Sequence, residues 1–439
     1  MAAYIPYPFP IPENSPFPIS NIPFGIFSTA KEPTPRPGTA VGDYVIDLSR
    51  LVSRGLLRAD GNTVVQDALR EPTLNSFAAL PHPIRSKIRK DIQKLIGDEE
   101  SPLYHKSGQS KFLAVRADVT MHLPFAIGGF TDYTCSLEHV TNLERLRGSS
   151  TIPPAFFTQP LAYNGRISSI VPSGTPIQRP YGLTTDRLYP SAKLDYEVEL
   201  GMFVSTGVPV GDLIPASHAR NHIFGFVLLN DWSARDVQFA EMVPLGPFNG
   251  KACGTSISVW VVTFDALEEA GAIIPVAVEE PVQGKMTSNP FLRHLEDISI
   301  DVSTYHSRNS DQRAPICRSN LKHSFWSPFQ MLAHHTSAGC GLGPGDLIGT
   351  GTMSSSAEQV KRDFTMSTPG VGRLGCLQEL TEGGAKPVQL GGDQSLTWLK
   401  DYDEVTLEGW AGEGRARIGF GEVTGRIVPS NPSLSMLTE

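Results

Sequence analysis

The sequence predicts a mainly β protein of two domains, and three observations carry that prediction. Glycine (41) and proline (36) make up about 18% of the 439 residues, against roughly 12% in ordinary chains. From about residue 120 onward, short β-rich runs alternate with Gly/Pro turns and no fixed repeat is visible. The length exceeds what one hydrophobic core usually supports.

The elements follow in chain order. Residues 1–30 cannot be helical, because Pro6, Pro8, Pro10, Pro12, Pro16, Pro18 and Pro23 remove donors and fix the backbone. Interleaved Phe9, Phe17, Phe24 and Phe27 favour packing against the chain's own fold over service as a Pro-rich ligand. Residues 40–48 read as a hairpin, with Gly42-Asp43 as its turn. Ile84, Ile88, Ile92, Leu95 and Ile96 recur at helical spacing over 80–97, and Arg85, Lys87, Arg89, Lys90 and Lys94 read as its solvated face. A domain boundary is expected near 118, dividing 1–118 from 119–439. Strand-like runs follow at 173–177, 195–204, 224–230, 256–262, 403–412 and 417–423.

Composition excludes several classes. Forty-five acidic against 37 basic residues give a net charge of −8, whereas nucleic-acid and anionic-membrane binders usually carry a basic excess. No apolar run approaches the ~18 residues of a membrane span. The start lacks a secretory pattern, since its first basic residue is Lys31 and prolines break its apolar run. Cys135, Cys253, Cys317, Cys340 and Cys376 are odd in number and contain no CxxC pair, so free thiols are expected. A soluble cytoplasmic protein is the expectation.

Four segments hold side chains that suit chemistry. In LDYEVEL (194–200), strand alternation places Asp195, Glu197 and Glu199 on one face, with the two glutamates about 7 Å apart. Such a pair wants a cation or a proton between them; a wet acidic edge strand is the bland alternative. In NDWSARDVQ (230–238), Asn230 or Asp231 is expected to cap a helix. Asp231, Arg235, Gln238 and Met242 would then share one face, although a cap plus an i,i+4 ion pair explains the pattern equally well. In GGFTDYTCSLEHVTN (128–142), Asp132 follows a Gly pair and His139 comes seven residues later. In GPFNGKACGTS (246–256), Lys251 lies in a Gly-rich loop that lacks phosphate-loop spacing.

Taken together, NDWSARD, PLGPFNGK, YNGRISSIVPSGTPI, CRSNLKH, the His334-His335 pair and GPGDLIGTGT resemble the fumarylacetoacetate hydrolase family in its full-length eukaryotic form. The resemblance covers nearly the whole chain, including the proline-rich start. It implies a small SH3-like β-barrel N-terminal domain, a large β-rich catalytic domain and a homodimer. It implies metal ligation by Asp132, Glu197, Glu199 and Asp231. Four carboxylates without a soft ligand also fit a hard cation, Mg²⁺ or Ca²⁺, on chemical grounds. It further implies His139 as general base, Glu379 as its orienter, and Arg235, Gln238 and Lys251 around the reacting carbonyl. Lys251 and Thr255 match positions near a second, structural cation. Thr134, Arg147, Tyr163, Gln238, Met242 and Thr352 fall at substrate-contacting positions, Arg147 by way of a one-residue deletion. The chain departs from the family pattern at Thr134 and Met242, where tyrosines are usual, at Asn164 in place of histidine and at Ser355 in place of glycine.

The implied reaction is metal-dependent hydrolysis of a β-diketone carbon–carbon bond in a diketo acid, with fumarylacetoacetate as the family's substrate. A paralogue acting on another β-dicarbonyl compound and a non-catalytic binding scaffold are the alternatives.

Overall fold

The computed structural model describes residues 5–57, 63–276, 287–308, 312–363, 371–391 and 394–431. Its N-terminal part is a five-stranded antiparallel sheet. In spatial order the strands are Leu113–Val115, Tyr44–Asp47, Glu32–Val41, Phe24–Thr29 and Val119–His122. The expected hairpin is present, with Val41 opposite Tyr44 across the Gly42-Asp43 turn. Gly42 has φ +55°, a conformation that glycine adopts without cost. The strand Val119–His122 pairs with Phe24–Thr29, so the sheet runs past the boundary expected at 118. The turn Arg116–Asp118 returns the chain to the far edge of the same sheet.

The helix expected over 80–97 spans His82–Gly97 and buries Ile88, Ile92 and Ile96. Its basic face is not wholly solvated. Arg85 and Arg89 are buried, with Arg85 Nη1 donating to Ala78 O at 2.7 Å and Arg89 Nε to Asn21 O at 3.3 Å. Backbone carbonyls, the Phe224 ring 5.5 Å from the Arg85 guanidinium and the Glu269 carboxylate 2.6 Å from Arg89 Nη2 replace the water those cations give up. Burial draws Arg85 down to a pKa of about 10.

The proline-rich start packs against its own fold. Phe17 and Phe24 are buried, and Asn21 Nδ2 donates to Gly419 O at 2.7 Å. Phe24 and Val261 exchange backbone hydrogen bonds, and the N-terminal core continues into Phe203, Phe224 and Leu347 of the larger domain.

The C-terminal part rests on two sheets. The larger runs in the order Leu161–Asn164, Phe130–Thr134, Leu347–Gly349, Val198–Val204, Ile223–Asp231, Thr255–Ile257, Ile170–Pro172. The smaller runs Ala314–Asn320, Asp301–Arg308, Asp403–Ala411, Ile418–Val428, Ile177–Gln178. Trp232, fully buried at the end of a central strand, lies against the smaller sheet at Gly425, where a Cβ would come within 2.3 Å of the indole. Among the described residues no helix is long and apolar enough to cross a membrane. All five cysteines are free; Cys135, Cys317 and Cys376 are buried, whereas Cys340 is exposed.

Candidate active site

The central strands deliver the acidic residues. Asp132 lies on Phe130–Thr134, Glu199 on Val198–Val204 and Asp231 at the end of Ile223–Asp231. The first two strands flank Leu347–Gly349, and the third pairs with Val198–Val204. Asp132, Glu199 and Asp231 are buried, and one oxygen from each lies within 4.8 Å of the others. Glu197 is not in that group. The chain does not run as one strand through LDYEVEL. Leu194–Asp195 pairs with Ser233–Ala234, Glu197 forms a lone bridge to Cys376, and Val198 enters the large sheet. All seven of these residues are buried, which overturns the wet-edge alternative.

The expected helix cap at Asn230 or Asp231 is also overturned. Asp231 ends a strand, and the helix starts at Arg235 with Ala234 before it. The pairing of Ser233–Ala234 with Leu194–Asp195 keeps the intervening chain extended. Arg235, Gln238 and Met242 do lie along that helix and at its C-cap, but Asp231 reaches the site from the sheet.

Two cations sit among the carboxylates. Lys251 Nζ donates to Asp231 Oδ2 at 2.6 Å and also to Glu197 Oε2. Arg235 donates to Glu197 Oε1 at 2.7 Å, to Asp195 Oδ2 at 2.9 Å and to Gln238 Oε1 at 3.1 Å. Against burial, Arg235 and Lys251 hold Glu197 well below the usual carboxylate range. The other three carboxyls move the opposite way. Burial and then the Asp231 carboxylate push Asp132 up to about 7. Burial, Asp132 and Asp231 raise Glu199 well above its ordinary value, and burial raises Asp231.

This donor set passes a test for a hard cation. Among the described residues Asp132 Oδ1 and Glu199 Oε1 are buried without a hydrogen-bond partner, a costly state for carboxylate oxygens. A divalent ion coordinated by oxygens alone would satisfy both. The remaining oxygens are already fixed. Tyr163 Oη lies 2.7 Å from Asp132 Oδ2 and 3.0 Å from Asp231 Oδ2. Gly351 N donates to Glu199 Oε2 at 3.1 Å, and Thr255 Oγ1 to Asp231 Oδ1 at 2.9 Å. Gly351 has φ +72°, and a Cβ there would lie 1.9 Å from Tyr133 O, so this donor requires glycine. Lys251 and Thr255, expected beside a second cation, both donate to Asp231.

The His–Glu pair is assembled from distant segments. Ser136 caps the helix Leu137–Leu146 by accepting from His139 N at 3.2 Å, which fixes His139 in the first turn. Its Nδ1 lies 2.7 Å from Glu379 Oε2. Asn142, one turn further on, donates to Glu379 Oε1 at 2.9 Å, and Ser354 Oγ to Oε2 at 2.7 Å. Burial would raise the Glu379 pKa, but His139 and these donors hold it below the ordinary carboxylate value. Asp195 joins this pair to the cations: besides Arg235, it accepts from Leu377 N at 2.7 Å and Gln378 N at 2.9 Å, at the start of the Glu379 helix. Sequence reasoning gave no role to Asn142, Ser354 or Asp195. The i,i+3 spacing of His139 and Asn142 was the available signal for the first.

A cavity of about 230 Å³ opens on this assembly. Asp132, His139, Glu197, Glu199, Arg235, Gln238 and Lys251 line it, as do Thr134, Arg147, Tyr163, Met242 and Thr352. Asp231, Thr255 and Glu379 stand behind that wall. Asn164 is exposed on its strand and Ser355 is buried, with its Oγ 2.6 Å from His323 Nδ1, so neither departure from the family pattern reaches the cavity. An imidazole oriented at Nδ1 by a buried carboxylate can accept a proton at Nε2.

A buried carboxylate group beside an oriented histidine, in a β-rich domain behind a small N-terminal sheet, defines a hydrolase of the fumarylacetoacetate hydrolase class. Residues 129–428 match the profile "Fumarylacetoacetate (FAA) hydrolase C-terminal", and residues 20–124 match "Fumarylacetoacetase N-terminal". The chain is 40% identical to fumarylacetoacetase of Rattus norvegicus over 96% of its own length and 98% of that protein. It is also 40% identical to the Arabidopsis thaliana enzyme, over 95% and 97% of the two chains. The chain belongs to the fumarylacetoacetase family. Among solved structures, a putative HpcE protein from Mycobacterium smegmatis superposes with a TM-score of 0.51 at 17% identity, covering 92% of this chain and 99% of that one. Fumarylacetoacetate hydrolase from Exiguobacterium antarcticum gives 0.50 at 16% identity, covering 93% and 100%. These two share the fold.

Proposed function

We propose that the protein hydrolyses the carbon–carbon bond of a β-diketo acid in a metal-dependent reaction, with fumarylacetoacetate converted to fumarate and acetoacetate, the last step of tyrosine and phenylalanine degradation. The observation that carries this reading is that His139, held by Glu379, lines the same cavity as Asp132 and Glu199 of the acidic group.

Asp132, Glu199 and Asp231, with Glu197 beside them, would hold Mg²⁺ or Ca²⁺, which when bound supplies Lewis-acid polarisation of the substrate's oxygens. Glu379 keeps the His139 Nδ1 proton in place, so Nε2 is the atom that removes a proton from water as its oxygen attacks the carbonyl carbon. Gln238 is oriented by Arg235 through its carbonyl oxygen, which leaves its amide N–H groups for the oxyanion that forms. Lys251 and Arg235 add fixed positive charge in a water-poor site. The carbon–carbon bond then breaks, and His139 returns its proton to the leaving carbon. Thr134, Arg147, Tyr163, Met242 and Thr352 are the proposed substrate contacts.

Finer points belong to the same proposal. The N-terminal sheet is read as an SH3-like barrel, supported by its two edge strands, Leu113–Val115 and Val119–His122, being joined by a single short turn. We place the domain division between residues 123 and 129. A homodimer in the cytoplasm completes the reading. A second reading, a paralogue for another β-dicarbonyl compound, is favoured by Thr134 and Met242 in the cavity wall.

Purified protein with Mg²⁺ and fumarylacetoacetate tests the proposal through loss of the diketone absorbance. Metal-dependent turnover supports it. Inertness toward fumarylacetoacetate together with turnover of an acylpyruvate would support the second reading, and inertness toward both would leave a binding scaffold.

A further inference from the structure

The helix Leu137–Leu146 carries His139 in its first turn and is capped by Arg147. Eight residues at about 1.5 Å rise place those two roughly 12 Å apart along one wall of the cavity. Among the described residues three permanent cations line that cavity, Arg147, Arg235 and Lys251. The last two are buried against Asp195, Glu197 and Asp231. Among the described residues Arg147 is therefore the lining cation placed to meet a charge at the substrate's far end.

Arg147 is already occupied. Its Nη1 donates to Glu144 Oε1 at 2.8 Å, and its Nη2 lies 3.3 Å from Met242 Sδ. Its guanidinium stands 6.0 Å from the centre of the Phe239 ring. Glu144 also lines the cavity, and its side chain is 16% exposed against 40% for Arg147. The acid is thus the more enclosed member of the pair, and the neighbouring wall, with Leu143, Phe156, Phe239 and Met242, is apolar.

We infer that Glu144 is a specificity-determining residue: by neutralising Arg147 it weakens the hold of the cavity's outer end on a second carboxylate and lets the site accept diketo acids whose far end is uncharged or apolar. The inference rests on the β-diketone hydrolase reading above. A second carboxylate placed against Arg147 meets the like charge of Glu144 and has to displace an existing ion pair. An alkyl or aryl end meets a thioether and ring edges instead, with no charge to desolvate.

Glu144→Gln tests this, because it keeps the shape and helix propensity and removes only the charge. Glu144 is only partly enclosed and its partner Arg147 is exposed, so losing this ion pair leaves the fold intact. The substrates are fumarylacetoacetate, with two carboxylates, and a 2,4-diketo acid ending in a straight alkyl chain. Wild type should turn over both substrates. The variant should raise the kcat/KM ratio of dicarboxylate to alkyl substrate by roughly fivefold to tenfold, mainly through KM, and added salt should shrink the change. A ratio unmoved by the substitution, or a wild type inert toward the alkyl substrate, would overturn the inference while leaving the hydrolase reading intact. No turnover of either substrate by wild type would overturn the hydrolase reading and the inference with it.

Discussion

Replacing Glu379 by Gln changes one charge at the centre of the His–Glu pair and leaves volume almost unchanged. The carboxylate accepts from Asn142 at Oε1, and from Ser354 and Cys376 at Oε2, where His139 Nδ1 also lies. A glutamine offers one acceptor oxygen and one NH₂. If the NH₂ takes the Oε2 position it opposes three donors; if it takes the Oε1 position it opposes the Asn142 amide. In the first arrangement His139 relieves the clash by moving its proton to Nε2, which blocks the atom that must accept one from water. An orienting carboxylate of this kind is worth up to about 10⁴ in rate, and positioned base catalysis typically 10²–10⁴. A fall in kcat of about 10²–10⁴ is expected, or roughly 3–5 kcal/mol of barrier at about 1.4 kcal/mol per decade. Stability should drop by about 1–3 kcal/mol from the donors left unpaired. The assay is kcat under saturating Mg²⁺, with metal content measured on the same sample. Full kcat, or a loss of rate that tracks a loss of bound metal, would refute the reasoning, since Glu379 stands behind the cavity wall and outside the Asp132–Glu199–Asp231 group.

Further expectations concern separate parts of the molecule. Glu199→Gln should abolish metal uptake and activity together, and unchanged metal content by elemental analysis would sink that assignment. His139→Ala should lower kcat by about 10²–10⁴ with metal still bound; full rate would return His139 to a structural role. Met242→Tyr combined with Thr134→Tyr should raise kcat/KM for fumarylacetoacetate if the natural substrate is another diketo acid, and wild type as efficient as a tyrosine-bearing relative would argue against an altered pocket. Burial would raise the pKa of Asp403, but His306 and the guanidinium of Arg308 hold it to about 2. A depressed acid stabilises the fold above its ordinary value of 3.8 and loses that contribution as the pH falls through about 2. Asp403→Asn should therefore lower the urea midpoint at pH 7 and converge with wild type near pH 2; a gap that persists there would contradict the sign.

Much of the site was legible in the sequence because its chemistry is concentrated in short, dense segments. Asp132 and His139 lie within one strand and the helix that follows, and Glu197 and Glu199 within one heptapeptide. Legibility ended where a long-range contact decides the local structure. Asp231 looks like a helix cap, and only the pairing of Ser233–Ala234 with Leu194–Asp195 keeps the chain extended past it. Arg85 and Arg89 look solvated, and their burial becomes tolerable through the carbonyls of Ala78 and Asn21, the Phe224 ring beside Arg85 and the Glu269 carboxylate 2.6 Å from Arg89. The acidic face of LDYEVEL reads as wet until Arg235 and Lys251 arrive from 38 and 54 residues away. The boundary at 118 followed a change of texture, whereas the strand Val119–His122 obeys its pairing with Phe24–Thr29.

The contact of the proline-rich start with the end of the chain bears on how the protein is made. Phe24 bonds to Val261, and Asn21 to Gly419, 398 residues away. A chain leaving the ribosome therefore leaves Phe17 and Phe24 only partly covered until Trp260 and Phe224, which complete their burial, have been synthesised. Contacts this distant in sequence slow folding and leave apolar surface open while translation proceeds. The His–Glu pair has the same timing, since Glu379 emerges 240 residues after His139. Newly synthesised protein should depend on chaperones, gain activity only after release, and suffer more in yield from slow-folding variants near Asn21 than its equilibrium stability would suggest.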